Sequence, residues 1–349
     1  MDFKKFILPH IWNLKPYSSA RDEFKGKEGV FLDANENPLG SGNIPEWNRY
    51  PDPMQWNIKY QLAEIKQCSV DQIFLGNGSD EAIDLLIRMT CEPSKDHIII
   101  CPPTYGMYEV SASVNNIQIQ RINLTNEYQL NVSEICENIN EFSKLIFICT
   151  PNNPTGNKLS RADIRTILAK FQTGFVIIDE AYFDFSDEAS FISELSTYPN
   201  LIVLQTLSKA YGLASLRLGM AYADPILIQL LNKIKPPYNI SGATQSLVEE
   251  ALKNKEFAKT SAETLNNAKK DLISKLKDLP EIITIFPSNA NFILVKCINA
   301  QALFDYLIKE KIITRNRSSV TLCDNSIRIS IGLPEENNQL IEKIKRFYA

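Results

Sequence analysis

The sequence predicts an α/β protein, built on a mostly parallel central sheet with helices on both faces and completed by a smaller α+β domain. Three observations carry this reading. Between about residues 70 and 223, short apolar runs alternate with segments of helical periodicity, the order of a chain that winds a parallel sheet. The runs themselves, such as III at 98–100 and FVII at 175–178, are apolar throughout, which marks strands buried on both faces. Beyond Pro236-Pro237 the order changes to a long helical region followed by mixed strands and helices, and one of those strands, IRISI at 327–331, alternates strictly.

Taken in order, residues 1–45 read as an N-terminal arm that belongs to the smaller domain. KPYSSARDEFKGKEG is polar and rich in turn signals, a short strand is expected at 30–32, and DANENPLGSGN is a loop. The large domain is expected over 46–235. In RYPDP, Pro51 and Pro53 impose an extended path that holds Tyr50 in a stiff segment, and a helix follows at 55–66. A strand at 72–75 turns through GNGS into a helix over 80–89, with Ser79 as its N-cap and Ile83, Leu86 and Ile87 on one face. Further strands are expected at 97–101, 117–122, 144–149, 175–178, 201–205 and near 219–223, with a helix at 161–171. The smaller domain, 236–349, should hold a helical region at 243–279, strands at 282–286, 292–295, 312–314 and 327–331, and helices at 301–309 and 335–347.

Composition narrows the function. Apolar residues at 44% and charged residues at 22% are those of a soluble globular chain, and a net charge of −4 supplies no basic face for nucleic acid. No stretch approaches the length of a membrane span, and the start lacks a signal peptide's apolar run, so a cytoplasmic protein is expected. Seven scattered cysteines suit reduced thiols better than disulfides. The two histidines, His10 and His97, stand in no metal-ligand spacing, which argues against a metal site and against a Ser-His-Asp triad.

The polar clusters all fall at the carboxyl ends of the expected strands, where open α/β sheets bind ligands. They offer a phosphate cradle (Gly78, Ser79, Asp80, Ser208, Arg217), a tyrosine that can stack on a ring (Tyr105), an amide (Asn153), a carboxylate (Asp179), a phenol (Tyr182) and an amine (Lys209). Pyridoxal 5′-phosphate needs each of these. Its aldehyde takes a lysine, its ring nitrogen a carboxylate, its ring oxygen donors, and its phosphate N–H groups and an arginine.

The same residues carry a resemblance. NPTG at 153–156, DEAY at 179–182 and SK at 208–209 with LR at 216–217 resemble the fold type I pyridoxal-phosphate-dependent transferases. DANENP at 33–38, RYPDP, GNGSDEAID at 76–84, PPTYGMY at 102–108, TPNNPTG, TLSKAYGLASLRLG at 206–219 and ANFILVK at 290–296 are more closely similar to the histidinol-phosphate aminotransferase family, nearly end to end. The resemblance implies that Lys209 carries the cofactor and moves the substrate's proton, with Asp179 at the ring nitrogen. It also implies Asn153 and Tyr182 at the ring oxygen, and Tyr105 against the ring. It implies a homodimer with shared sites, in which Tyr50 reaches the partner's cofactor phosphate, and it places Tyr17, Asn35, Arg315 and Arg328 at the substrate. The implied substrates are histidinol phosphate and glutamate or 2-oxoglutarate, in histidine biosynthesis. Two departures stand out: Ser215 replaces a usual glycine, and KEKIIT before Arg315 lacks one. An aromatic amino-acid aminotransferase or a phosphothreonine-type decarboxylase would share every cofactor residue, and a non-catalytic regulator of this fold is the alternative from another class.

Overall fold

The structure, a computed structural model, describes residues 1–16, 29–30, 32–44 and 47–349. Tyr17 and Phe31 lie outside the described residues. Val30 and Leu32, at the ends of the strand expected at 30–32, are exposed and outside any strand.

Seven strands form the large sheet: β1 Ile73–Asn77, β2 His97–Ile100, β3 Gln118–Arg121, β4 Ser143–Cys149, β5 Phe175–Asp179, β6 Leu201–Thr206 and β7 Leu218–Tyr222. Their order is β1-β7-β6-β5-β4-β2-β3. β2 to β6 pair in parallel, while β7 runs antiparallel to both β6 and β1. The reversal at β7 has a simple cause. A parallel return needs a crossover of about a dozen residues or more, usually a helix, and the link from β6 to β7 holds only the short 3-10 turn Ala214–Leu216.

Both faces of the sheet are covered, which is why the central runs read as continuously apolar. Ile146, Ile148, Val176, Ile178 and Val203 point into one core, and Leu145, Phe147, Phe175, Ile177 and Ile202 into the other. The start of the chain joins the second core. Phe3 and Ile7 are buried there, Phe3 stacks on Phe175 with ring centroids 6.2 Å apart, and Lys233 Nζ donates to the Trp12 carbonyl at 2.6 Å. The first residues therefore pack on the large sheet and do not belong to the smaller domain, because FKKFILPHIW is apolar enough to seal that face.

The smaller sheet comprises β8 Ile282–Ile285, β9 Phe292–Cys297, β10 Arg315–Asn316 and β11 Ser326–Ser330, antiparallel throughout in the order β10-β11-β9-β8. No strand forms at 312–314; pairing begins at Arg315. The helical region expected at 243–279 is two helices, Gly242–Leu252 and Phe257–Lys277. Ala258 and Ala262 on the second pack into the large sheet's core, while Leu272 and Leu276 pack into the small sheet's, so the cores divide along this helix and not at the prolines of 236–237. Helices Met107–Val114 and Pro225–Ile234 were not foreseen; in the latter, Pro225 at the first turn and Asp224 as N-cap are the signals that could have found it.

The period of β11 positions the site. Ile327, Ile329 and Ile331 are buried in the small sheet's core, and Arg328 turns the other way, directly across from Leu294, which belongs to the core shared with the large sheet. Arg328 thus leaves its own domain and enters the crevice at the carboxyl ends of the large sheet.

Candidate functional site

At the end of β1 the chain turns through Gly78, whose φ of 78° suits glycine, into the helix Ser79–Thr90. Gly78, not Ser79, is the N-cap, with no side-chain capping bond. Ser79 is instead the first helical residue, and it lines the cavity. A Cβ on Gly78 would stand 2.7 Å from a guanidinium nitrogen of Arg217, and one on Gly219 would collide with the Ser79 amide. The two glycines let β7 and Arg217 close on the helix start. Arg217 sits in the left-handed region at φ 53°, its carbonyl accepting from the Gly78 N–H at 2.7 Å, and its guanidinium lies 3.5 Å from Asp80. First-turn N–H groups have no partners within a helix, so these amides with Arg217 form a site for an anion.

The last residue of β5, Asp179, is 2% exposed. Its carboxylate accepts from Tyr108 Oη at 2.6 Å and from the Ala181 N–H at 3.0 Å. Burial pushes the Asp179 carboxyl above the usual carboxylate range, and the bond from Tyr108 pulls the other way. Sequence reasoning missed Tyr108. It lies 71 residues from Asp179 on a helix that begins at Met107, and only its place in PPTYGMY, one helical turn past Tyr105, hints at a shared site.

Lys209 follows β6 in a turn, directly after a Thr206–Ser208 hydroxyl pair at 2.9 Å. Its Nζ lies 5.5 Å from the centre of the Tyr182 ring. Burial lowers the pKa of the amine, Arg328 lowers it further, and Asp179 opposes them. Tyr105 donates to Asp80 at 3.1 Å and Asn153 accepts from Arg328 at 2.5 Å.

Gly78, Ser79, Asp80, Tyr105, Asn153, Asp179, Tyr182, Ser208, Lys209 and Arg217 all line one cavity of about 130 Å³. A second, wider cavity shares Tyr105, Asn153, Tyr182 and Lys209 with it and adds Arg315, Arg317 and Arg328. Two residues of the expected set lie outside both cavities, Asn35, expected at the substrate, and Tyr50, expected at a partner's site. Tyr50 is 49% exposed and stacks on Tyr238 at 4.5 Å, and Asn35, also exposed, holds a φ of 54° and lines neither cavity. Between them, Glu36 accepts from the Tyr50 N–H at 2.6 Å and from Arg49 at 2.7 Å, tying DANENP to RYPDP.

The family model for aminotransferase class I and II matches residues 27–344. The chain belongs to the class I and II aminotransferases. A histidinol-phosphate aminotransferase of Parabacteroides distasonis is 49% identical over 344 residues, spanning 99% of this chain and 98% of that protein. Among solved structures, the histidinol-phosphate aminotransferase of Clostridium acetobutylicum superposes with a TM-score of 0.79 at 24% identity, covering 86% of this chain and 91% of that one. That of Sinorhizobium meliloti, in complex with pyridoxal-5′-phosphate, does so with a TM-score of 0.78 at 22% identity, covering 90% of each chain. The fold is therefore that of the fold type I transferases, and the aminotransferase uses pyridoxal 5′-phosphate.

The site fits that cofactor on its own geometry. Asp179 is a buried carboxylate whose direct partners are a phenol and an amide, both neutral. A buried anion is costly without a cation, and the protonated nitrogen of a pyridine ring supplies one. At the opposite end of the cavity, the helix start and Arg217 suit a phosphate. No helix among the described residues is long and apolar enough to cross a membrane.

Proposed function

We propose that this aminotransferase catalyses reversible amino transfer between L-histidinol phosphate and 2-oxoglutarate, a step of histidine biosynthesis, in the cytoplasm. The observation that carries the reading is the set of arginines facing Lys209 across the second cavity, on a chain alike end to end with proteins of that name. When bound, pyridoxal 5′-phosphate supplies an aldehyde that captures amines and a protonated ring that takes up the electron pair of the substrate carbon.

The chain's own residues do the rest. Ser79, Ser208, Arg217 and the first-turn amides hold the phosphate, Asp179 keeps the ring nitrogen protonated, Asn153 and Tyr182 hold the ring oxygen, and Tyr105 packs on the ring. Lys209 Nζ, a neutral amine when released, takes the proton from the substrate carbon and returns it; its depressed pKa makes the neutral form accessible. Arg328, beside Asn153 and 5.1 Å from the Phe292 ring, pairs with the substrate's anion, and Arg315 faces it from β10. Tyr17, expected at the same anion, lies outside the described residues.

Assaying L-histidinol phosphate, phenylalanine and threonine phosphate in parallel tests the assignment. Histidinol phosphate should be preferred. A preference for phenylalanine would make the protein an aromatic aminotransferase, and release of carbon dioxide from threonine phosphate would make it a decarboxylase. Arg328→Lys keeps the charge but loses the planar fork, and should cost roughly 10 to 100-fold in kcat/KM with both histidinol phosphate and glutamate. Unchanged turnover of histidinol phosphate in this variant would remove Arg328 from the anion site.

The reading includes a two-fold dimer in which Tyr50 completes the partner's phosphate site. What supports it is that Tyr50 avoids its own cavity while Trp47, Tyr50, Trp56 and Tyr60 leave an exposed aromatic surface on one stretch of chain. Mixing Lys209→Ala protein with Tyr50→Ala protein should restore activity toward about a quarter of wild type, one good site in each mixed dimer. No recovery after confirmed subunit exchange would place Tyr50 outside the partner's site.

A further inference from the structure

Three guanidinium groups share one face of the small sheet. Arg315 and Arg328 are directly opposed across β10 and β11, where like charges repel. Arg317 stands two residues beyond Arg315, and its N–H donates to the Ser326 carbonyl at 2.8 Å, so the antiparallel pairing continues and its side chain falls on the same face. All three line the cavity that holds Lys209 and Tyr182. The acid at that cavity's rim, Glu109, is paired with Arg121, and among the described residues no carboxylate pairs with Arg315, Arg317 or Arg328. Arg317 Nε is buried with no hydrogen-bond partner, and burial, then Arg328 and Arg315, pull its guanidinium below its ordinary pKa.

A buried donor on a cation, facing two more cations, is an arrangement that an anion completes. Arg328 with Asn153 is enough to seat a carboxylate, which has one charge and two oxygens. A phosphate monoester brings up to two charges and three oxygens, and so uses more of the cluster. We infer that Arg317 is a specificity-determining residue, a third guanidinium that binds the substrate's phosphate and sets the preference for a phosphorylated amine over glutamate. The inference rests on the proposed function for the identity of the phosphorylated substrate, and on the arginine cluster alone for the preference for phosphate.

The test uses the holoenzyme, in which the cofactor fills its own phosphate site, and compares wild type with Arg317→Gln and Arg317→Lys. The ratio of kcat/KM for histidinol phosphate to that for glutamate should fall about ten-fold or more in Arg317→Gln, the scale of one lost charge-assisted bond, with partial rescue by lysine. Inhibition of the glutamate half-reaction by inorganic phosphate should weaken by a similar factor. The variant should melt no lower than wild type, since it relieves repulsion, and added phosphate should raise its melting temperature less. An unchanged ratio, or equal losses with both substrates, would overturn the inference. If the wild type ignores histidinol phosphate, the functional reading fails and phosphate inhibition alone decides: no inhibition of wild type, or equal inhibition of both proteins, overturns the role of Arg317.

Discussion

Lys209→Ala is expected to abolish transamination, by about 10⁴-fold or more, the upper range for a lost positioned acid–base group, while the protein stays folded. Lys209 is half-buried and makes no ion pair among the described residues; burial first and then Arg328 disfavour its charge, with Asp179 opposing them. Removing it takes away a partly desolvated cation and leaves the large sheet's core untouched. What is lost is chemical: among the described residues no other side chain lining either cavity is an amine. Single-turnover absorbance with glutamate measures the loss, circular dichroism the fold, and borohydride trapping followed by peptide mapping the attachment point. Labelling of another lysine, or near-normal turnover in the variant, would sink the assignment.

Asp179→Asn should produce the next largest loss, about 10²–10³-fold in turnover, as for other preorganised electrostatic groups, with a much smaller change in cofactor affinity. The amide is the same size and can still accept the bond from Tyr108, but it cannot hold a proton on the ring nitrogen. Tyr108→Phe separates the charge from its support. The variant keeps the carboxylate and deletes one hydrogen bond of 2.6 Å, so the loss should be nearer ten-fold. That bond also lowers the Asp179 pKa against the effect of burial. Without it the carboxyl protonates at higher pH, so the acid limb of the pH–rate profile should move upward, whereas a purely structural role for Tyr108 would lower the rate without moving the limb. An unshifted limb in Tyr108→Phe would confine the tyrosine to packing, and near-normal turnover in Asp179→Asn would remove the carboxylate from the chemistry.

Much of this site is legible in local sequence for a physical reason. In a parallel sheet the carboxyl ends lie on one edge, so residues that follow β1, β4, β5 and β6 must converge however far apart they stand in the chain. The alternation of IRISI likewise determines that Arg328 faces away from Ile327 and Ile329. Where local rules failed, a tertiary contact had overridden them. Ser79 is a good capping residue, but the close approach of β7 places Gly78 at the cap and turns Ser79 to the cavity. The polar look of the arm hid a start whose Phe3 seals the sheet against Phe175.

Local sequence suffices for the sheet, the edge at which its polar residues gather, and the set of side chains a pyridoxal cofactor requires, because burial, period and strand polarity are local properties. Tertiary packing alone brings Tyr108 to Asp179 and Arg328 to Asn153, and leaves the half-buried Arg317 beside two other arginines with its Nε unpartnered. These depend on how helices seat on the sheet and how the small domain closes over the large one. Side-chain contacts of that kind are fixed by packing between elements distant in the chain, to which no local pattern responds.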